Sequence, residues 1–482
     1  MHDIVIIGGG AIGCSIAREL SKYNVDIVVV EKDNDVCSGT SSANSAIVHS
    51  GYDPLPCSEK ARLNVLGNSM FPKLCADLDV HLEMIGSLTV ATNQEEMETL
   101  KSLAQRAKEN NVPTEIIGQE KLQELEPNLN KSLLGALLAP TCGIVNPFEY
   151  TVALMENAMD NGAQLKLNWE VANIEFKDNK YIITNVDGDV LEAKVVINAA
   201  GVYSDKISSL VEKDIFSVKA RKGQYFVLDS FAKGFVNHTI FMCPSEKGKG
   251  VLISPTTSGN YIIGPSSEWT DDKEDVSTSK DVLDFVKDQA KRIMENVPYQ
   301  YMVRQYSGLR AVASTGDFLI KPLDNHKTFI NVAGIQSPGL ASSPAIALDV
   351  LSYVKEVLPL EEKANFNPKR RPVIRMKNMS LEEKQAYVKE YPEFGHMICR
   401  CEKISEGEIV DCIRRNAGAT TVKGVKKRCR PGFGKCQGTF CETQVVNILA
   451  RELARKKDTI CYDAKDSIIL KYETKVGDSN GK

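Results

Sequence analysis

Positive charge is not in surplus in this chain: 59 Lys and Arg face 63 Asp and Glu, a formal net charge of −4. A general polyanion binder needs a basic excess, so nucleic acid is not an expected partner. No apolar run approaches the roughly 18 residues that cross a bilayer, and with a strand pattern already at Asp3–Ile7 an export signal is not expected. Glycine and proline are modest, at 33 and 19 residues of 482, which excludes a fibrous or low-complexity chain. No internal repeat, G-x-S-x-G elbow, GxxxxGK[ST] loop or H-E-x-x-H helix is present. What remains is an ordinary globular composition of enzyme size, expected in the cytoplasm, with 43% apolar and 25% charged residues.

Cysteine is the exception. Seven of thirteen are scattered, and six crowd between Cys399 and Cys441. In a reducing compartment such a cluster reads as a metal or redox site before a disulfide frame.

The first 365 or so residues alternate buried-strand runs (26–30, 194–197, 328–332) with helical patterns at 95–109, 147–161 and 280–296. Residues 181–184, followed by Asp187-Gly188-Asp189, read as a hairpin. The expected fold class is α/β plus α+β. The expected organisation is an oxidoreductase domain over 1–365, a linker with a short helix over 366–395, a cysteine-rich domain over 396–457 and a tail over 458–482. Within the linker, Ser380 and Glu383 form a capping-box signature.

The opening strand runs into Gly8-Gly9-Gly10-Ala11-Ile12-Gly13, then a helical stretch and a second strand ending in Glu31. Gly8 permits the tight turn, Gly10 lets backbone approach a pyrophosphate at the helix N-terminus, and Gly13 lets helix and strand pack closely. Glu31 can accept from a ribose. The element alone does not separate FAD from NAD. Two later strands favour FAD: one ends in Asn198-Ala199-Ala200-Gly201, the other in Gly334-Ile335-Gln336-Ser337-Pro338-Gly339-Leu340. Helix amides after the second turn can face the negative charge of a reduced flavin. No second GxGxxG follows a strand, so a separate NAD(P)H domain is not expected.

With Ser38-Gly39-Thr40-Ser41-Ser42-Ala43-Asn44-Ser45 added, residues 1–365 resemble the D-amino-acid-oxidase-type FAD superfamily. The resemblance is strongest to the branch of FAD-dependent glycerol-3-phosphate dehydrogenases and oxidases and L-2-hydroxyglutarate dehydrogenases. It implies a Rossmann-like FAD half interleaved with an antiparallel-sheet substrate half. It also implies flavin-side contacts from Thr40, Ser41, Ser42 and Asn44, and an adenine-side backbone contact at Val171.

The cysteine pattern is Cys399-x-Cys401, Cys412, Cys429, then Cys436-x4-Cys441. Tight pairs at both ends of an excursion suit a four-thiolate site for zinc or for iron–sulfur. Nearby Lys426, Lys427, Arg428, Arg430 and Lys435 would offset the charge of the latter. The phrases Cys399-Arg400-Cys401-Glu402 and Gly434-Lys435-Cys436-Gln437-Gly438-Thr439-Phe440-Cys441 resemble the BFD-like [2Fe-2S] domain. That resemblance implies Cys399, Cys401, Cys436 and Cys441 as ligands. Cys412 lies in a helical stretch as a small apolar residue, and Cys429 stays ambiguous.

A flavin oxidising an alcohol needs a base, a hydride path and a grip on the substrate anion. His49 sits just beyond the flavin-lining loop, and an unperturbed imidazole titrates near 6.5. The resemblance implies a base at this place and a substrate-proximal serine at Ser45. Arg310 is the expected anion grip, since a guanidinium binds phosphate or carboxylate bidentately. The resemblance adds Lys249 as a second cation, with Lys247 as its rival. Ser337 offers a hydroxyl, and Tyr306 a closing ring.

The expected reaction is therefore oxidation of sn-glycerol 3-phosphate to dihydroxyacetone phosphate, with electrons leaving through the cluster to a protein or quinone-linked acceptor. Peripheral membrane association would come only through such a partner. The rivals are a dehydrogenase for L-2-hydroxyglutarate or another 2-hydroxyacid, an amine or imino-acid dehydrogenase, and an electron-relay flavoprotein without a small-molecule substrate.

Overall fold

The computed structural model describes residues 1–232, 234–244 and 250–471. The chain divides into two compact units, one of Met1–Lys32 and Val36–Arg371, the other of Asp33–Asp35 and Pro372–Lys482.

In the first unit, hydrophobic runs at strand spacing build a largely parallel sheet. His2–Ile7 lies between Ile27–Val30 and Val190–Asn198, in register Ile4 to Ile27 and Ile4 to Val195. Gln164–Lys166 extends one side and Phe329–Ala333 the other. These runs are apolar on both faces because both faces are covered: Ile4, Val5, Ile6, Val28, Val196 and Phe329 are all fully buried. The expected hairpin is Lys180–Asn185 against the start of Val190–Asn198, turning through Asp187-Gly188-Asp189, and Val171–Lys177 pairs with its outer strand. The helices Ala11–Leu20 and Gly339–Val357 pack on this sheet, with Pro147–Asp160 against the first and Glu59–Asp77 against the second. Gly67 matters for that packing, since a Cβ there would overlap the carbonyl oxygen of Ala341.

A second, nine-stranded sheet is mainly antiparallel. Its long pair is Val218–Leu228 against Met302–Ala313. Beyond them the sheet runs through Tyr261–Gly264, Leu252–Pro255, Thr239–Met242, Ser87–Ala91 and Gly135–Ala139 to Glu115–Gly118. One face packs Leu88, Phe226, Ile240, Ile253 and Ile263 against the helix Lys280–Ile293. That helix ends earlier than the expected 296 because Met294 turns to extended backbone. The strands of this sheet come from segments on both sides of the parallel sheet's strands, so the two halves are interleaved in sequence.

The second unit is small and mostly helical. Leu381–Glu390 carries the expected capping box from Ser380 and Glu383, and Glu406–Arg414 carries another from Ser405 and Glu408. Val422–Cys429, Glu442–Glu452 and the hairpin Met397–Cys399 with Ile404–Ser405 complete it. Ile398, Ile409, Val425, Val445 and Leu449 form its core. Among the described residues no helix is long and apolar enough to cross a membrane.

Candidate functional site

The glycine turn behaves as its spacing requires. Gly8 has φ +113°, a region that favours glycine, and a Cβ there would press on the Ala199 carbonyl. A Cβ on Gly13 would overlap the Gly8 carbonyl oxygen. Gly10 caps the helix with extended backbone and no side-chain bond of its own. Instead the Ala11 amide donates to Ser41 Oγ at 2.9 Å, which brings the Ser/Thr/Asn loop onto the helix N-terminus. Glu31 accepts from the Gly9 amide at 2.7 Å, and a carboxylate retains further lone pairs for a ribose. Trp169 donates its amide to the Glu31 backbone carbonyl, tying the segment before Val171 to the end of the second strand.

The other two strand ends converge here as well. The Ala199 amide donates to the Ile7 carbonyl, so 198–201 lies against the glycine turn. Asn198 donates to Asn331 Oδ1 at 2.8 Å, tying that strand to the one leading into Gly334. Gly334 has φ +67°, and Gly339 begins the helix behind the turn. The residues present therefore fit an FAD: a side-chain-free cradle at the first helix, an acid at the second strand and a glycine turn at a second helix N-terminus.

The loop side chains are mostly spent on holding the loop. Thr40 Oγ1 donates to the Leu309 carbonyl at 2.6 Å, and Ser42 Oγ to Ser38 and Gly39. Asn44 Nδ2 donates to the Thr40 and Ser41 carbonyls while its Oδ1 takes the Ala46 amide. Gly308 lies directly under this loop, where a Cβ would overlap the Ala43 carbonyl oxygen. The strand Met302–Ala313 is thus the floor on which the loop rests.

Beyond the loop, Ser45 Oγ lies 3.0 Å from Tyr225 OH. The Tyr225 ring stacks on Tyr306 with centroids 4.6 Å apart and planes 6° from parallel, and Tyr306 OH donates to the Asn44 carbonyl. Burial pushes the Tyr306 hydroxyl well above its ordinary value, with Tyr225 adding to the shift. His49 Nε2 stands 3.4 Å from Ser337 Oγ, and its ring stacks on Phe241 at 5.8 Å. Asn64 Nδ2 at 2.6 Å and Asn68 Nδ2 at 3.1 Å hold the His49 carbonyl. Beside His49 runs a cleft lined in part by Tyr52, Asp53, Asn64, Thr89 and Phe241.

Arg310 shares the face of Tyr306 and Gly308, two residues apart along the strand. Its Nη2 donates to the Ser266 carbonyl at 3.0 Å. Lys247 and Lys249 lie outside the described residues. The sequence reading missed Tyr225, Phe241, Asn64 and Asn68. Their sequence positions carry no signal; only the register of the long strand pair and the packing around His49 single them out.

In the second unit, Cys401 Sγ and Cys436 Sγ lie 3.7 Å apart. That is about the edge of a tetrahedron with metal–sulfur bonds near 2.3 Å, as two thiolates on one metal require. Cys399 pairs with Cys441. The Cys441 thiol hydrogen bond, helped by the Glu402 and Gly432 amides, holds the Cys399 thiol below its ordinary value against the cost of burial. Two adjacent thiol pairs fit a [2Fe-2S] cluster. Gly434 is needed where Cys401 packs closely, and Gly438 turns the chain at φ +98°. The neighbouring cations are partly engaged already: Arg430 pairs with Glu402 at 2.8 Å, and Lys426 lies 4.7 Å over the Phe433 ring. Cys412 and Cys429 instead meet each other at 3.7 Å in the unit's core, and burial raises the Cys429 thiol well above its usual value.

Residues 3–351 match the family described as FAD dependent oxidoreductase (DAO), and residues 397–451 match the BFD-like [2Fe-2S] binding domain. A glycerol 3-phosphate dehydrogenase of Caloramator mitchellensis is 46% identical over 98% of this chain and 99% of that protein. A glycerol 3-phosphate oxidase of Mycoplasma genitalium is 32% identical over 76% of this chain and 97% of its own length. Among solved structures, the L-alpha-glycerophosphate oxidase of Mycoplasma pneumoniae with FAD bound is similar at a TM-score of 0.74 and 31% identity. That likeness covers 77% of this chain and 99% of that one.

Proposed function

From the chain's membership of the FAD-dependent oxidoreductase family, with a BFD-like [2Fe-2S] domain at its C-terminal end, we propose that it oxidises sn-glycerol 3-phosphate to dihydroxyacetone phosphate. Bound FAD supplies the acceptor for the hydride on the substrate's second carbon, and the cluster supplies a one-electron outlet toward a protein or quinone-linked acceptor. Gly8, Gly10, Ala11, Ile12, Gly13 and Glu31 hold the nucleotide end, with Val171, Ala200 and Gly201 beside it. Thr40, Ser41, Ser42 and Asn44 line the flavin, as do Gly334, Ile335, Ser337, Pro338, Gly339 and Leu340. Cys399, Cys401, Cys436 and Cys441 hold the iron.

The observation that carries this reading is the pairing of His49 with Ser337 at 3.4 Å, one from the segment after the flavin-side loop, the other from the turn before Gly339. His49 takes the proton of the substrate hydroxyl as the carbon is oxidised. Ser337 and the Asn64 and Asn68 clamp on the His49 backbone hold the imidazole in place. Ser45, oriented by Tyr225, hydrogen-bonds the substrate, and Arg310 holds the phosphate. The similarity to a glycerol 3-phosphate dehydrogenase along nearly the whole chain favours this substrate over 2-hydroxyacids and amines.

The test is anaerobic bleaching of the flavin absorbance by glycerol 3-phosphate, L-2-hydroxyglutarate, glycine and proline in turn, with His49→Ala alongside. Rapid bleaching by glycerol 3-phosphate alone, slowed at least 100-fold in the variant, is expected. Equal bleaching of both proteins overturns the base assignment, and bleaching by another substrate class overturns the substrate.

A further inference from the structure

The long strand pair places two arginines directly opposite each other. In the register of Val218–Leu228 with Met302–Ala313, Tyr225 faces Tyr306, Gly223 faces Gly308 and Arg221 faces Arg310. Directly paired residues of an antiparallel sheet share a face, and the contacts on the page identify which one. Tyr306 bonds the Asn44 carbonyl, Tyr225 bonds Ser45, and Gly308 lies under Ala43. Arg221 and Arg310 therefore stand on the face that meets the flavin-side loop.

Their heads turn toward the same spot. Arg310 Nη2 lies over Gly223, where a side chain would collide with it, and donates to the Ser266 carbonyl at 3.0 Å. Arg221 Nε donates to Ser267 Oγ at 2.6 Å, and its guanidinium lies 5.5 Å from the Trp269 ring. Ser266 and Ser267 are consecutive, so both cations are anchored to one short segment beside Gly223. Like charges directly opposite in a sheet destabilise it. Burial and then Arg310 lower the Arg221 pKa, as two neighbouring cations require. Evolution of such a pair makes physical sense where a ligand of two negative charges repays the repulsion.

We propose that Arg221 is a second substrate-binding guanidinium, which with Arg310 forms a cradle selecting a dianionic phosphoryl group over a single carboxylate. The inference rests on the reading of Arg310 as the phosphate grip. Gly223 is two residues from Tyr225, about 7 Å along a strand. A three-carbon chain with a terminal phosphoryl group spans from the Ser45–Tyr225 pair to the cradle, whereas a ligand lacking that group engages only one end. The cradle thus sets both the charge and the reach of the substrate.

The experiment uses the FAD-loaded full-length protein and the variants Arg221→Gln, Arg221→Lys and Arg310→Gln. Binding of inorganic phosphate to the oxidised protein is measured by calorimetry, and anaerobic flavin reduction by glycerol 3-phosphate and by uncharged glycerol is followed in parallel. Arg221→Gln is expected to weaken phosphate and glycerol 3-phosphate binding by 10- to 100-fold, as loss of a charge-assisted pair does. The loss should fall on the affinity for glycerol 3-phosphate more than on the limiting rate of flavin reduction, and flavin reduction by glycerol should change far less than that by glycerol 3-phosphate. Arg221→Lys, which keeps the charge without the fork, should fall between. Unchanged phosphate affinity in Arg221→Gln, or equal losses for glycerol and glycerol 3-phosphate, overturns the cradle. Phosphate binding that needs both arginines, in a protein that glycerol 3-phosphate does not reduce, keeps the cradle and overturns the proposed substrate instead.

Discussion

Tyr225 and Tyr306 lie ring on ring, 4.6 Å between centroids, and each hydroxyl is bonded to the same loop: Tyr225 shares a hydrogen bond with Ser45, and Tyr306 donates to the Asn44 carbonyl. The pair belongs to the long strands of the antiparallel sheet, and the loop belongs to the nucleotide-binding half. Two planar rings with fixed hydroxyls therefore position Ser45, the serine directly after Asn44. Tyr225→Phe keeps the stack and removes one hydrogen bond, worth about 1 kcal/mol. The expected outcome is a 3- to 10-fold fall in the rate of anaerobic flavin reduction, with bound FAD unchanged in the absorbance spectrum.

Gly308 is the floor beneath the loop. Gly308→Ala drives a methyl into the Ala43 carbonyl, an overpacking that costs about 1–3 kcal/mol. The purified variant should carry less FAD per chain than the native protein and melt several degrees lower. Full occupancy with an unchanged melting temperature would show that the loop does not rest on this strand.

The cysteine pairs predict which thiols matter for iron. Cys436→Ser should lose most of the iron and the brown absorbance, because it removes one of two thiols 3.7 Å apart. Cys429→Ser and Cys412→Ala should retain both, since those sulfurs face each other in the apolar core. Iron and acid-labile sulfide per chain decide the matter.

Asp275 gives a pH signature of folding. The buried Lys222 ammonium donates to it at 2.8 Å, and Ser277 adds two more bonds, which hold its carboxyl down at about 2. An unfolded aspartate titrates near 3.9, so the folded state favours the ionised form. The stabilisation is present above about pH 4 and is lost as pH falls through 2. Asp275→Asn should melt lower than the native protein at pH 7, and the gap should close on acidification. A gap that is constant with pH would refute the ion pair as its source.

Much of the nucleotide half was legible from local spacing. The run from Ile4 through Gly13 to Glu31 names strand, turn, helix and strand, because each residue's role follows from neighbours a few positions away. The capping box of Ser380 and Glu383 and the spacing of cysteines at both ends of the excursion were readable for the same reason. His49 and Arg310 could be proposed as base and anion grip from their place in the sequence and the family resemblance, without a view of their partners. Tyr225, Asn64 and Asn68 could not, since tyrosine and asparagine occur everywhere and carry no periodic mark. Arg221 was invisible too, because nothing in Ala220-Arg221-Lys222 says which of two adjacent cations faces the flavin-side loop and which is buried on Asp275.

The sequence by itself determined the class of chemistry: a glycine-rich turn for a dinucleotide, a thiolate set for iron, and one histidine placed after the loop. Those are matters of local covalent order and side-chain type. Tertiary structure alone decided the partnerships that tune it, since strand register pairs residues as far apart as Gly223 and Gly308, 85 positions, beside one loop. Register is fixed by burial of whole faces summed over two long strands, and no short stretch of sequence contains that sum.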